Sequence, residues 1–191
     1  MSNITRSYYL DEARIAEPSW KAAWRDANKA KSLEPLKTLY FGDLKPETIE
    51  RIILYHGTCS LLADTIWKEG LKPRDETRIS NWNGALESQP SFVYLATRKV
   101  SFELADARHR PHYNYRHCGL ETVRVDVDTK NLVPDEDAQK ITGFSPGFIS
   151  NLSLEFAPCD TWYESLYRLN TCAYKGRIPP ERILGIEELY G

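Results

Sequence analysis

The chain has 191 residues, a formal net charge of −2 and 41% hydrophobic side chains. This composition is that of an ordinary globular domain, so it argues against a disordered chain, a fibrous repeat and a protein that binds polyanions through bulk positive charge. No segment approaches the roughly 20 apolar residues of a membrane helix, and the first residues lack the apolar core of a signal peptide. We therefore expect a cytoplasmic protein, in the cell that produces it or in an infected or targeted cell, with no membrane partner.

Residues 1–50 predict a helical segment that packs on a larger unit, residues 51–191. Four residues of this segment recur at helical spacing, namely Trp20, Ala23, Trp24 and Ala27. Ser19 is the predicted N-cap, and burial of the two tryptophans would attach the helix to the rest of the chain. A second short helix is predicted over residues 46–51, where Pro46 suits the first turn.

After residue 51 the pattern changes to short apolar runs. Residues 52–55 and 92–95 predict buried strands, and residues 122–127 alternate as a half-buried strand does. An amphipathic helix with Leu61, Leu62 and Ile66 on its apolar face is predicted between the first two strands, with Gly70 closing it. A further helix is predicted near residues 99–108, strands near 169–174 and 183–187, and surface loops at 75–90 and 109–118. The pattern alone predicts α/β or α+β with a mixed sheet.

The four cysteines, Cys59, Cys118, Cys159 and Cys172, are spread singly along the chain. Disulfide frameworks are typical of small secreted domains, so the sequence predicts reduced thiols. For Cys59, which follows a glycine closely, a small buried apolar role is favoured over a reactive one.

The residues that follow the first strand, His56-Gly57-Thr58, are the most informative in the chain. A glycine at this point lets a ligand approach the backbone, where amide and carbonyl groups can bind a planar carboxamide. A histidine ring nitrogen can bind a ribose hydroxyl, and the threonine adds a hydroxyl group. The alternative is a strand end with a turn glycine and a hydrogen-bonded histidine, and these three residues alone leave both interpretations open.

Together with later segments, this stretch resembles the ADP-ribosyltransferase superfamily over residues 52–190. The segments that carry the resemblance, in chain order, are residues 55–58, 70–73, 93–97, 125–128 and 176–183. The similarity is to the His–Tyr–Glu clade, which includes poly(ADP-ribose) polymerases, diphtheria-type toxins and, more distantly, RNA 2′-phosphotransferases. The resemblance implies an α+β fold with a split, mixed or antiparallel sheet and flanking helices. It also implies NAD as a substrate, with no metal.

The resemblance implies a role for each residue that matches the family pattern. His56 would hold the adenosine-side ribose, the backbone of Gly57 would bind the nicotinamide carboxamide, and Thr58 would support that segment. Tyr94 would stack on the nicotinamide ring, although a buried strand aromatic is the structural alternative. Ala96 and Thr97, which follow on the same segment, complete the expected binding residues.

Cleavage of the nicotinamide–ribose bond develops positive charge on the ribose, so negative charge beside the sugar favours the transition state. In the family a glutamate supplies this charge, but Thr171 occupies its position here and cannot act as an acid. The other carboxylates considered are Glu164 and, on the last strand, Glu187 and Glu188; a solvated surface position is the alternative for each. The sequence therefore predicts the binding residues and leaves the catalytic acid unidentified.

The implied activity is mono-ADP-ribosyl transfer to a macromolecular target, protein or nucleic acid, in a phage, toxin or effector setting. One alternative is a non-catalytic module that binds NAD or ADP-ribose. Another is an RNA 2′-phosphotransferase, with Arg98 and Arg168 on the phosphate. The loop at 109–118 gathers three histidines and a cysteine, but without a second half a metal site is disfavoured against a target-facing loop that could touch nucleic acid. The loop at 75–90, and residues 77–89 of it especially, would screen substrates.

Overall fold

The computed structural model describes residues 7–77, 89–101, 119–141 and 158–188. Seven strands lie in one sheet: β1 (Tyr8–Tyr9), β2 (Arg51–Cys59), β3 (Phe92–Ala96), β4 (Leu120–Asp128), β5 (Leu132–Val133), β6 (Thr171–Lys175) and β7 (Ile183–Glu188). The strand order is β5-β6-β3-β2-β4-β7, with β1 beside β2. All neighbouring pairs are antiparallel except β1 with β2. The predicted strands are thus present in an open sheet.

The helices whose bounds lie within the described residues are α1 (Glu17–Ala30), α2 (Glu34–Phe41), α3 (Ala63–Glu69), α4 (Arg74–Thr77), α5 (Glu136–Ile141) and α6 (Trp162–Leu169). Residues 98–101 are also helical, and the rest of the helix predicted to Arg108 lies outside the described residues. The loop predicted at 109–118 and residues 78–88 of the loop predicted at 75–90 lie outside them too. The α+β fold class is confirmed. In the described part of the chain, no helix has the length and apolar character needed to span a bilayer.

The sheet is nearly divided between β2 and β3. Strand β2 pairs with β4 over nine residues, and β3 pairs with β6 over five, but β2 and β3 share only the pair Tyr55 and Ala96. Because β4 occupies one whole edge of β2, β1 and β3 must share the other edge, where β1 pairs at Ile52 and Ile53. Beyond Tyr55, this second edge of β2 has no strand partner in the described part of the chain.

Helix α1 packs through its aromatic side, with Trp20 and Trp24 buried in the same core as the sheet. The Trp20 indole N–H donates a hydrogen bond of 3.1 Å to the carbonyl of Tyr167 on α6. The predicted N-cap is wrong: the helix begins at Glu17, so Ser19 lies inside its first turn, because Pro18 already suits that turn.

Two other predicted helices differ in extent. Residues 46–51 form only a 3₁₀ turn, Pro46–Thr48, because the chain is already extended at Arg51, which pairs with Asp128 on β4. The helix predicted from Leu61 begins later, after a 3₁₀ turn at Ser60–Leu62. Leu61 is therefore 66% exposed and Leu62 is exposed too, while Ile66 packs in the core. Helix α3 does end at Gly70, as predicted.

Among the three cysteines that the structure describes, one differs from the prediction. Cys159 and Cys172 are free and buried, and burial raises the pKa of the Cys159 thiol to about 11. Cys59, the last residue of β2, takes part in a disulfide bond. The prediction of a reduced thiol there is wrong, because wide spacing along the sequence says nothing about distance in the fold. Its predicted burial is observed.

Candidate functional site

The segment His56-Gly57-Thr58 lies inside β2 and does not form the turn that the sequence predicted. Strand β4 accounts for the difference, since it pairs with all three residues. Gly57 is not among the glycines with positive φ in the structure, so no turn explains the glycine. The other reason for a glycine at position 57 is that it has no side chain, which leaves the backbone accessible from one face.

The ring of His56 lies where β2 and β3 separate. Its Nδ1 atom is 2.9 Å from the carbonyl oxygen of Tyr94. A carbonyl only accepts, so Nδ1 carries the proton and donates, and Nε2 of the neutral ring is an acceptor. This hydrogen bond comes directly after the single strand pair, Tyr55 with Ala96. The structure therefore brings the two predicted site residues, His56 and Tyr94, into contact.

Gly57 and Tyr94 belong to the same face of the sheet. Continuing the register from the Tyr55 and Ala96 pair by two residues sets Gly57 opposite Tyr94, and directly opposed residues on antiparallel strands point to one face. Thr122, which pairs with Gly57 from β4, has a buried hydroxyl with no hydrogen-bond partner in the described part of the chain. The unpaired strand edge at Gly57 is partly exposed and fits a ligand that carries a carboxamide, while the ring of Tyr94, on the same face, is 7% exposed.

The hydroxyl of Tyr94 is held by two groups. It donates to Glu136 Oε1 at 2.7 Å and accepts from the amide of Gln89 at 3.1 Å. Burial raises the pKa of Tyr94, and the hydrogen bond to Glu136 and the charge of Asp137 raise it further. The ring is therefore fixed in one orientation at physiological pH. Sequence reasoning missed Glu136, because the run Asp135-Glu136-Asp137 has the ordinary composition of a helix start.

The remaining predicted binding residues support the strand junction. Thr58 is buried and opposite Glu121 on β4. Ala96 forms the single pair between β2 and β3, with Tyr55. The amide of Thr97 donates a hydrogen bond of 3.0 Å to the carbonyl of Asn170. These contacts hold β2, β3 and β6 in register around His56 and Tyr94.

The position of the expected glutamate is at the start of β6. Thr171 is opposite Ala96, two residues from Tyr94 along β3. Its hydroxyl is buried without a hydrogen bond of normal geometry, although it lies close enough to the Asp135 carboxyl to lower the pKa of that group. Burial has the larger effect and raises the pKa of Asp135 to about 6. A carboxyl group, that of Asp135, therefore lies beside Thr171.

The three glutamates that the sequence analysis considered as the catalytic acid interact with other residues. Glu164 accepts from the Asp160 amide at 3.1 Å and from Arg168 at 2.9 Å at the start of α6. Glu187 bonds Arg98 at 2.8 Å. Burial raises the pKa of Glu121, and the charge of the nearby Glu188 raises it further. None of these contacts joins the three acids to His56 or Tyr94.

The residues of the phosphotransferase alternative, Arg98 and Arg168, are 44% and 4% exposed at their side chains and each pairs with a glutamate. Their charges are therefore already compensated, which weakens the case for a phosphate cluster. Within the described ranges no group of three or more His, Cys, Asp or Glu side chains could hold a metal ion. The histidines of residues 109–118 lie outside those ranges.

Two cavities are lined by other parts of the described chain. One of about 760 Å³ lies between the 3₁₀ turn at Pro46–Thr48, the β4–β5 connection and the start of α6. The other, of about 520 Å³, lies against β1. Neither is lined by His56, Gly57 or Tyr94, so neither extends the candidate site.

Comparison with known proteins adds little to this geometry. No family model and no curated protein matches the chain. Among solved structures, a chain named EcPltA aligns with a TM-score of 0.36 and 14% identity, over 70% of this chain and 73% of that chain. A likeness this weak carries no argument about activity.

Proposed function

We propose that the protein is a mono-ADP-ribosyltransferase that uses NAD as its substrate and modifies a macromolecular target. The observation that supports this most is the contact between His56 Nδ1 and the Tyr94 carbonyl at the point where β2 and β3 separate. It joins the two motif strands on which the sequence resemblance rests.

The chemistry follows from the groups around this contact. The backbone of Gly57 would bind the nicotinamide carboxamide while the ring of Tyr94 stacks on the nicotinamide, and His56 Nε2 would accept from a ribose hydroxyl. Holding the leaving nicotinamide rigidly favours the transition state, because the bond to the ribose breaks without reorganisation of the binding groups.

The proposal is tested with NAD labelled in its adenylate half, incubated with the purified protein and a cell lysate. The expected results are release of nicotinamide and transfer of label to a macromolecule. His56→Ala and Tyr94→Ala should each abolish both, whereas Tyr94→Phe keeps the ring and should still bind NAD. Tyr163→Ala is the matched control, since Tyr163 lies on α6 and lines the separate 760 Å³ cavity.

Two outcomes would contradict the proposal. If His56→Ala and Tyr94→Ala bind NAD as well as wild type, the site is wrong. If wild type binds NAD saturably but releases no nicotinamide, the protein is a non-catalytic binding module.

A further inference from the structure

Three consecutive carboxylates, Asp135, Glu136 and Asp137, lie at the start of α5 beside the hydroxyl of Tyr94. Glu136 Oε1 accepts from that hydroxyl at 2.7 Å and from the Gln89 amide at 3.3 Å. The second oxygen of Glu136 has no hydrogen bond within the described residues, and Glu136 is only partly buried. One oxygen is therefore fixed while the other stays available.

The neighbouring aspartates make this region strongly acidic. Asp137 is 3% exposed, and both of its carboxylate oxygens are buried with no hydrogen-bond partner among the described residues. A buried carboxylate without a partner is unfavourable, because it loses its hydration and gains no hydrogen bond in exchange. The charge of Asp137 acts on the Tyr94 hydroxyl, so this carboxylate lies close to the same ring. An uncompensated charge of this kind favours a positive group bound nearby.

The acidic run is also tied to Thr171, the residue that stands where the family resemblance expects an acid. Asp135 is held there by two contacts: its amide donates to Ser165 Oγ at 3.0 Å, and that hydroxyl donates to the carbonyl of Thr171 at 2.8 Å. These bonds tie the start of α5 to the first residue of β6. Glu136 follows Asp135 directly, and its carboxylate is fixed from α5 against the hydroxyl of Tyr94.

We propose that Glu136 is the catalytic carboxylate of the transfer reaction, and this inference rests on the proposed function. The bond between the nicotinamide nitrogen and the ribose breaks, and its electron pair leaves with neutral nicotinamide. Negative charge on Glu136, supported by Asp137, stabilises the positive charge that develops on the ribose. A lone pair of the acceptor forms the new bond to the ribose, and the acceptor proton passes to the open oxygen of Glu136 and then to water.

Glu136 has a second effect through Tyr94. Because the hydroxyl of Tyr94 donates to Glu136, the orientation of the aromatic ring depends on an acceptor at this position. Glutamine keeps an acceptor oxygen but removes the charge, while alanine removes both. The two substitutions therefore separate the catalytic effect of Glu136 from its positioning effect.

The test measures nicotinamide release by wild type, Glu136→Gln and Glu136→Ala over a range of NAD concentrations. We expect Glu136→Gln to keep KM within about threefold and to lower kcat on the order of 100-fold or more. Glu136→Ala should lower kcat at least as much and raise KM as well, because Tyr94 loses its acceptor. Glu34→Gln is the control, since Glu34 lies on the exposed side of α2, and it should behave as wild type.

The outcomes separate this inference from the proposed function. An active wild type with a Glu136→Gln variant of unchanged kcat overturns the role of Glu136 and leaves the proposed function intact. A Glu136→Gln variant that loses NAD binding together with turnover also overturns the catalytic role, provided that its thermal unfolding matches wild type. A wild type that binds NAD without releasing nicotinamide overturns both.

Discussion

The histidine ring at position 56 takes part in the sheet itself. Its Nδ1–H donates to the Tyr94 carbonyl at 2.9 Å, in a place where a strand amide would otherwise donate. A side chain thus completes the hydrogen bonding of a backbone group that the separation of β2 and β3 would leave unpaired. Replacing His56 therefore affects both the ligand groups and the strand junction, whereas Tyr94→Ala keeps the carbonyl that His56 bonds and is the more specific probe of binding.

The raised pKa of Asp135 predicts how the stability of the protein depends on pH. Burial raises its folded-state pKa to about 6 from an ordinary value of 3.8, so the folded protein binds more protons than the unfolded chain between these values. The unfolding free energy contributed by Asp135 is therefore largest below about pH 4 and falls by about 3 kcal/mol as pH rises through 6. Asp135→Asn keeps an acceptor for the Ala138 amide and removes this dependence.

Urea unfolding of wild type and Asp135→Asn at several values between pH 4 and 7 measures the effect. The variant should gain stability relative to wild type as pH rises. Asp26→Asn, on the exposed side of α1, makes the same change in charge and should give no such divergence. Parallel curves for wild type and Asp135→Asn would show that Asp135 ionises in the folded protein as it does in solution.

Residue roles were predictable only where a local pattern carries them. The motif around His56 and the strand aromatic at Tyr94 can be read from the sequence, and the structure brings them together. The contact between Tyr94 and Glu136 spans 42 positions and has no local signature. The same is true of Asp135 beside Thr171, because the pairing of β5 with β6 decides that neighbourhood.

Among the elements, the strands were easier to predict than the helices. Short apolar runs locate β2, β3 and β4, but only the nine-residue pairing with β4 extends β2 through Cys59. Helix α6 was missed although its start carries a capping box, in which the Thr161 hydroxyl accepts from the Glu164 amide at 3.3 Å. Helix α2 was missed as well, and its Pro35 lies in a first turn where proline is tolerated.

The glycine that ends α3 yields a prediction about the free energy of unfolding. Gly70 has φ +77° and ψ −176°, a conformation essentially limited to glycine, and a Cβ there would lie 2.1 Å from the carbonyl oxygen of Ile178. Leu71 pairs with Ile178 at the same point, so the backbone has no room to yield. Gly70→Ala should lower the unfolding free energy by about 3 kcal/mol or more.

Gly176→Ala is a matched control for this substitution. Gly176 has φ +84°, but a Cβ there meets no atom within 4 Å. Only the backbone cost remains, so a loss of about 1–2 kcal/mol is expected. Chemical denaturation compares the two variants, and equal losses would contradict the close approach of Ile178 to Gly70.

For the whole molecule, the near-division of the sheet predicts how a ligand affects stability. The two halves meet through the Tyr55 and Ala96 pair and the His56 hydrogen bond, and the proposed NAD site lies along this line. A ligand that binds only the folded state stabilises it by about 2.7 kcal/mol at a concentration of 100 Kd. For a chain of this size, that corresponds to a rise of about 5–10 °C in Tm.

Thermal unfolding with increasing NAD measures this rise. Tyr94→Ala should unfold at the same temperature with and without NAD, while the Tyr163→Ala control should keep the full increase. The wild-type rise should also persist in Glu136→Gln, because the lost charge acts on the transition state more than on binding. A wild-type Tm that does not change at millimolar NAD would show that the gap between β2 and β3 binds no dinucleotide, since mass action requires a folded-state ligand to raise Tm.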